Sequence, residues 1–110
     1  MIMLDSDLMI SKDRPYSYTF NEDEWIRNIQ QYIDMTYKSH YGNGRYQATD
    51  MIIDAGHGEG FCIGNIMKYA MRYGKKGNQK KDVEFKKNSE LLKIIHYAII
   101  ALYLNEKANG

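Results

Sequence analysis

Three polar side chains in the middle of the chain, Asn65, Lys68 and Arg72, have the types and spacing of an anion site. If residues 62–73 form a helix, these side chains lie at i, i+3 and i+7 on one face. Arg72 offers a planar fork of donors, Lys68 a compact charge and Asn65 an amide, which together suit a phosphate or carboxylate. The alternative is an ordinary solvated helix face, on which the two cations would weakly repel each other.

Glycines stand on both sides of this segment, where residues 56–60 read GHGEG and residues 74–77 read GKKG. Glycine allows positive φ and a close approach of the backbone, so the first stretch could present free N–H groups to a phosphate. Gly60 and Gly64 are candidate ligand contacts for this reason, with close helix packing as the alternative. The GxxxxGK[ST] spacing of a P-loop does not occur in the chain.

Further candidate ligands flank the same segment: two histidines, two tyrosines that could stack a base, and two lysines of the basic turn. They are His40, Tyr41, His57, Tyr69, Lys75 and Lys76, and Tyr46 and Tyr73 are two more tyrosines that could stack a base. The alternatives are a cap or surface position for the histidines, core packing for the tyrosines and a solvated turn for the lysines. Cys62 is expected to be a small packed residue rather than a nucleophile, and cysteine and histidine spacings match no zinc site.

The composition is that of one folded domain. The chain has 110 residues, of which 44% are hydrophobic, and its net charge of +1 gives no bulk field to attract nucleic acid or an anionic membrane. A single cysteine excludes an internal disulfide and fits a reducing compartment. No apolar run approaches the roughly 20 residues of a membrane span. The N-terminal residues lack the early positive charge of a secretory signal.

Hydrophobic periodicity predicts an all-α fold. We expect a small helical domain of three to four helices over residues 21–110, preceded by a short irregular or β arm at residues 1–20. Residues 16–20 alternate in the manner of a strand. The first helix carries a capping-box pattern from Asn21 to Glu24. The predicted helices cover residues 21–40, 49–55, 62–73 and 82–107.

Two of these helices carry apolar residues that need a partner surface. In the third helix the apolar side chains are expected to be buried, namely Ile63, Ile66, Met67, Ala70 and Met71. The second half of the last helix reads LLKIIHYAIIALYL and is apolar nearly all round. Such a helix is buried centrally or shared with another subunit, and in so short a chain we favour a homo-oligomer through this helix. His96, within that run, is expected to be buried and hydrogen-bonded.

The order and spacing of these residues resemble the DUF3310 family of small phage proteins. The resemblance covers about residues 40–103. It is strongest at Gly60, Phe61, Gly64, Asn65, Lys68, Tyr69, Arg72, Gly74, Lys76 and Gly77. The chain departs from the family pattern at Asp82-Val83, where Asp-Leu is usual, and at residues 86–88, where Lys-Ala is frequent. The family includes the T7 phage nucleotide kinase. The resemblance therefore implies a helical oligomer that acts on deoxynucleoside monophosphates in the cytoplasm of an infected bacterial host.

Two functions follow as expectations. The first is phosphoryl transfer from ATP or another nucleoside triphosphate to a deoxynucleoside monophosphate, with Lys68 and Arg72 holding phosphates and Lys75 or Lys76 closing over them. Mg²⁺ would serve this reaction, although few acids lie near the segment: Asp50, Asp54, Glu59 and Asp82. The second is a non-catalytic protein that sequesters a host nucleotide signal to counter antiphage defence. Nucleic-acid binding is disfavoured by the near-zero net charge.

Overall fold

The computed structural model describes residues 16–40, 45–75 and 80–109, with side chains at all of these except residues 40, 45–47 and 80–86. It contains four helices: α1 Glu22–His40, α2 Arg45–Asp54, α3 Gly58–Arg72 and α4 Lys80–Asn109. The described part of the chain has no strand, so the predicted all-α class is confirmed. Residues 16–20 form a bend and a turn, and the strand-like interpretation of these residues is wrong. Residues 1–15 of the predicted arm lie outside the described residues.

The start of α1 differs from the predicted capping box. The helix begins at Glu22 with acidic residues throughout its first turn, where the helix dipole favours negative charge. The backbone N–H of Phe20 donates to Glu22 Oε1 at 2.9 Å, so Glu22 rather than Glu24 bonds the chain entering the helix. Asn21 has a φ of 57°, a left-handed conformation that asparagine tolerates better than most residues.

Helix α3 begins at Gly58, earlier than predicted, so Gly58 and Gly60 are helical rather than part of a glycine loop. The break between α2 and α3 is confined to a tight turn. Gly56 supplies a φ of 89° in this turn, and the backbone N–H of His57 donates to the carbonyl of Ile52 at 3.0 Å. Three glycines in five residues allow positive φ and so favour a loop, but of these three only Gly56 adopts a positive φ, and Gly58 and Gly60 are helical.

The packing at Gly58 explains why a glycine opens α3. A Cβ at this buried position would lie 2.8 Å from Leu104 Cδ1 and 3.0 Å from Ile53 Cγ1. The absence of a side chain therefore lets the first turn of α3 touch both α2 and the end of α4. This contact fixes one end of the central pair of helices.

Helices α3 and α4 form the most extensive interhelical packing in the described part of the chain. Three contacts set the antiparallel register of the pair: Gly58 with Leu104, Tyr69 with Lys93, and Gly74 with Lys87. Helix α1 packs on α4, and α2 packs on α3. The α3–α4 pair is therefore the frame on which the candidate residues of the central segment are held.

The predicted buried face of α3 is wrong for four of its five members, because Ala70 is exposed, as are three larger side chains. Ile63, Met67 and Met71 are 46%, 59% and 68% exposed, and they form an apolar line that we call the outer stripe of α3. The helix instead buries Gly58 and Cys62. Apolar residues occur on more than one face of α3, so periodicity could not show which face has a partner within the chain.

Helix α4 is apolar on three sides, as its sequence predicts. One side contacts α3 through Tyr97 and a second contacts α1 through His96. The third side is open, with side chains that are 41–57% exposed, and we call it the outer stripe of α4: Leu91, Ile95, Ile99 and Leu102. Among the residues that the structure describes, no helix has the length and apolar character needed to cross a membrane.

Candidate functional site

Three cationic side chains surround the ring of Tyr69, between α3 and α4. The Nζ atoms of Lys68 and Lys93 lie 4.6 Å and 4.9 Å from the ring centroid, and Arg72 Cζ lies 5.6 Å from it. All three distances are within the reach of cation–π attraction, roughly 6 Å. We call Lys68, Arg72 and Lys93 the cation cluster. It brings together two of the predicted ligands and a lysine from the last helix.

Aromatic contacts hold Tyr69 in place. Its ring is nearly parallel to that of Tyr97 on α4, with centroids 6.1 Å apart and planes inclined by 18°. Phe61 meets the same Tyr97 ring edge-on, at 5.7 Å and 79°. These pairs lie in the favourable range for offset-stacked and edge-to-face rings, and each contributes about 0.5–1.5 kcal/mol beyond its buried area. The cluster is thus built on packed rings of two helices rather than on a loop.

Arg72 carries a donor that lacks an acceptor. Its side chain is half-buried, and its Nε atom is buried with no hydrogen-bond partner. A buried donor left unpaired costs about 1–3 kcal/mol, and native proteins rarely leave one so. An anionic ligand that enters the cluster could supply acceptors to this guanidinium.

The predicted row of Asn65, Lys68 and Arg72 is only partly assembled. Asn65 Nδ2 donates to the carbonyl of Phe61, four residues earlier, at 2.8 Å. This is the local hydrogen bond that an asparagine within a helix commonly makes, and it occupies the amide inside α3. Lys68 and Arg72 meet at Tyr69, whereas Asn65 acts within its own helix.

His57 lies at the other end of α3 from the cation cluster. At 1.5 Å per residue, it is about 16 Å along the helix axis from Lys68. An open cavity of ≈ 770 Å³ adjoins it, lined by Ile52, Gly56, His57, Glu59, Gly60, Phe61 and Ile63. Within one chain, the predicted ligands of the glycine segment and those of the cation cluster therefore lie at two separate places, because most of the predicted glycine loop is the first turn of α3.

Gly60 and Gly64 have open space around them, since a Cβ at either position would meet no atom within 4 Å. Close packing within the chain does not account for these glycines. Both face outward on α3, near the outer stripe.

The remaining predicted ligands stand apart from the cluster or outside the described residues. Lys75 is exposed, and its backbone N–H donates to the carbonyl of Arg72 at 3.1 Å in the turn that ends α3. Gly74 adopts a φ of 70° there, which explains the glycine. Tyr41 and Lys76 lie outside the described residues, as does the side chain of His40.

Two residues of α4, Lys93 and Glu90, belong to this region, although no role was predicted for them from the sequence. Glu90 is only 1% exposed, and its Oε2 atom has no hydrogen-bond partner. Their positions, with Tyr97, follow the i, i+3, i+7 pattern of one helix face. This spacing, and a lysine within a long apolar run, are the sequence features that could have indicated a role for Glu90 and Lys93.

Burial sets the character of Cys62 and His96. Cys62 is 0% exposed, and burial raises the pKa of its thiol, which agrees with the predicted packing role. His96 is half-buried against Tyr32, with ring centroids 6.1 Å apart and planes at 88°, and burial lowers the pKa of its imidazole. Among the described residues, no group of three or more histidines, cysteines or acids converges to hold a metal ion.

The fold and the site thus define a small helical protein with a cation cluster between two antiparallel helices. Residues 35–98 match the sequence model of a family described as Protein of unknown function (DUF3310). This match spans more than half of the chain, and the chain belongs to that family, as the resemblance predicted. No curated protein and no solved structure matches the chain.

Proposed function

We propose that the protein binds a nucleotide by its phosphate at the cation cluster. The observation that carries this proposal is the unpaired, buried Nε of Arg72 next to two lysines. A phosphate offers several strong acceptor oxygens, and the planar guanidinium matches them through two parallel hydrogen bonds. Lys68 and Lys93 add compact charges on either side of the Tyr69 ring.

The base of the nucleotide has a ring available close to the cluster. Tyr73 is the residue directly after α3, four residues beyond Tyr69. It is 42% exposed, and Lys87 Nζ lies 5.6 Å from its ring centroid. Stacking of a base on an aromatic side chain contributes about 1–3 kcal/mol and tolerates any base. A phosphate among the cations and a base on Tyr73 together describe a nucleoside monophosphate.

For the reaction, we propose phosphoryl transfer from ATP to a deoxynucleoside monophosphate, in a phage protein that acts in the cytoplasm of the infected host. This part of the proposal is supported by the family resemblance. Such catalysis consists mostly of positioning the phosphates and neutralising their charge, usually with Mg²⁺, and the cation cluster provides the protein's cationic share.

The second candidate is a binding protein that sequesters a host nucleotide signal and so counters antiphage defence. Holding a nucleotide needs only a phosphate site and a ring, which α3 and α4 supply within one chain. Phosphoryl transfer needs, in addition, a place for the triphosphate donor. The compactness of the cluster is the observation that favours this candidate.

One experiment separates the two candidates. The purified protein is incubated with ATP, Mg²⁺ and a mixture of nucleoside monophosphates and cyclic nucleotides, and is then filtered. The filtrate is chromatographed, and so is the material released when the retained protein is heat-denatured. New diphosphates establish the kinase, and a nucleotide released intact establishes sequestration. If all nucleotides stay unchanged in the filtrate, both candidates are wrong.

A variant of Arg72 tests the location of the site. Arg72→Ala removes the charge-assisted hydrogen bonds to phosphate, each worth about 1.5–3 kcal/mol, so affinity should fall roughly 10- to 150-fold or below detection. Calorimetric titration measures the loss, and circular dichroism should show an unchanged helical signal. Arg27→Ala, an exposed arginine on α1, is the matched control and should bind normally. Equal affinity in Arg72→Ala and the wild type would place the site elsewhere.

We also propose that the protein is a homo-oligomer through α4, with α3 taking part. The outer stripes of both helices begin one residue after a buried residue, Cys62 in α3 and Glu90 in α4. Because the helices are antiparallel, equal offsets from the contact face put both stripes on the same side of the pair. We propose that the seven exposed side chains of the two stripes form one apolar face. Ile99 also lines the cavity between α1, α2 and α4.

The size of this face supports a second copy of the chain as its partner. Its side chains are 41–68% exposed, which corresponds to an apolar area on the order of 600 Å². The largest apolar patch of a typical monomer is roughly 300–600 Å², and each partner of a standard interface contributes roughly 800 Å². Two copies related by a twofold axis could bury this self-complementary face against itself as a four-helix contact.

A further inference from the structure

Glu90 is buried at a place where a carboxylate needs a partner. It is 1% exposed, near the middle of the α4 face that contacts α3, and its Oε2 atom has no hydrogen-bond partner. Removing a carboxylate from water costs several kcal/mol unless a cation or hydrogen bonds offset the loss. A buried glutamate that only filled space would be replaced at lower cost by an apolar residue of similar volume. A function for the charge is therefore the better explanation.

The register of the helix pair shows which cation is at the level of Glu90. The contacts Tyr69 with Lys93 and Gly74 with Lys87 lie on either side of it. Glu90 is midway between the two lysines on α4, and the midpoint on α3 is at residues 71–72. Arg72 is therefore at the same level as Glu90.

Arg72 has a buried donor without an acceptor, and Glu90 has a buried acceptor without a donor. Among the described residues, the buried side-chain atoms without a hydrogen-bond partner are Arg72 Nε, a donor, and Glu90 Oε2, an acceptor. The two atoms belong to facing helices at one level. A change of side-chain rotamer that joined them would satisfy both atoms, and would pair the buried charge with an arginine, the side chain best suited to a buried ion pair.

We propose that Glu90 is a positioning residue of the anion site. Its carboxylate accepts a hydrogen bond from Nε of Arg72, on the edge of the guanidinium that faces away from the ligand. The guanidinium then presents its opposite edge, with its remaining N–H groups, to the phosphate. Fixing the fork in advance lowers the entropic cost of binding, because the arginine rotamer is already ordered. This inference rests on the proposed function for the identity of the ligand, whereas the pairing of Glu90 with Arg72 is independent of it.

The pairing itself is tested without any ligand, by NMR of the arginine Nε–Hε group. The Arg72 signal is identified by its disappearance in Arg72→Lys. In the wild type it should be displaced from the position of exposed arginines and protected from exchange with water. Glu90→Gln, which keeps the shape of the side chain and removes its charge, should shift the signal back and remove the protection. An Arg72 signal unaffected by Glu90→Gln overturns the proposal, whether or not a nucleotide binds.

The role in binding is tested with inorganic pyrophosphate as the probe, by calorimetric titration at low salt. Glu90→Gln should weaken binding about tenfold in the wild-type background and cause no further loss in Arg72→Ala, because Glu90 acts through Arg72. In Lys68→Ala, the matched control background, the full tenfold loss should remain. A tenfold loss that persists in Arg72→Ala overturns the proposal.

A second variant covers the case in which Glu90→Gln does not fold. Arg72→Lys keeps the positive charge and lacks Nε, so it should lose about the same affinity for pyrophosphate as the pairing contributes. An affinity equal to that of the wild type would overturn the positioning role. If the wild type binds neither pyrophosphate nor any nucleotide, the proposed function fails, and the NMR signal of Arg72 still decides whether the pair exists.

Discussion

His96 shows how burial changes the chemistry of a single residue in this protein. Its imidazole packs against Tyr32 and lines a cavity of ≈ 380 Å³ between α1, α2 and α4, with Asp50 and Tyr103 among the other lining residues. Loss of solvent lowers the pKa of His96 below its ordinary value of 6.5. The neutral imidazole is therefore the form that the fold accommodates.

From this we predict that the protein loses stability on mild acidification because of His96. The unfolded chain takes up a proton near pH 6.5 and the folded chain does so at lower pH, so the unfolded state binds more protons between the two values. The stability due to neutral His96 is fully present above pH 6.5 and decreases as pH falls through it, by at most about 1.4 kcal/mol per pH unit. Urea unfolding between pH 7.5 and 5.0 measures this slope.

A variant of His96 separates this effect from the titration of acids. His96→Gln should flatten the dependence of unfolding free energy on pH, because it removes the imidazole whose pKa burial lowers. Identical slopes in the wild type and His96→Gln would contradict the assignment.

At the scale of the helix, the glycines of α3 differ in how closely other residues pack on them. Gly58 is enclosed by Leu104 and Ile53, whereas Gly60, two residues later in the same helix, has open space around it. Alanine at either position gains helix propensity, up to about 1 kcal/mol in a helix interior. Only at Gly58 does the new methyl group meet neighbouring side chains.

We therefore predict opposite effects from the same substitution. Gly60→Ala should raise the free energy of unfolding by about 0.5–1 kcal/mol, and Gly58→Ala should lower it by about 1–2 kcal/mol because the crowded neighbours must move. Chemical denaturation followed by circular dichroism gives both values. Destabilisation by Gly60→Ala would show that an unseen surface packs on that glycine. An unchanged or raised stability of Gly58→Ala would mean that the α3–α4 contact relaxes easily.

The sequence was sufficient for the existence and order of all four helices, because α1, α3 and α4 carry long apolar patterns bounded by turn residues and α2 a short apolar run before a glycine turn. It was insufficient for the start of α3, since the close contact of Gly58 with Leu104 joins residues far apart in the chain. The buried face of α3 was misjudged for the same reason: exposure depends on which helix packs where. Lys68 and Arg72 were found from local spacing, but Lys93 comes to Tyr69 only through tertiary packing.

At the scale of the whole molecule, the described chain has little interior of its own. Among the described residues, the hydrophobic residues that are buried are Ile29 and Cys62, and only Cys62 is fully buried, while large apolar side chains remain exposed along α3 and α4. Burial of apolar area contributes about 25 cal/mol per Å², so covering the exposed face with a partner would stabilise the protein. This agrees with the proposed homo-oligomer, in which the continuous face of the two outer stripes is covered by a second copy.

The proposed assembly predicts that charges on this face dissociate the protein. Ile95→Lys together with Ile99→Lys should raise the dissociation constant at least about 100-fold, because burying unpaired lysines costs several kcal/mol. Light scattering coupled to size exclusion measures the mass over a range of concentrations.

Met35→Lys is the matched control, since Met35 is 67% exposed on α1, away from the face. Met67→Lys tests the share of α3, and should also dissociate the protein if both stripes form one interface. A wild type that is monomeric at high concentration contradicts the assembly, and dissociation by Met35→Lys alone would move the interface to α1.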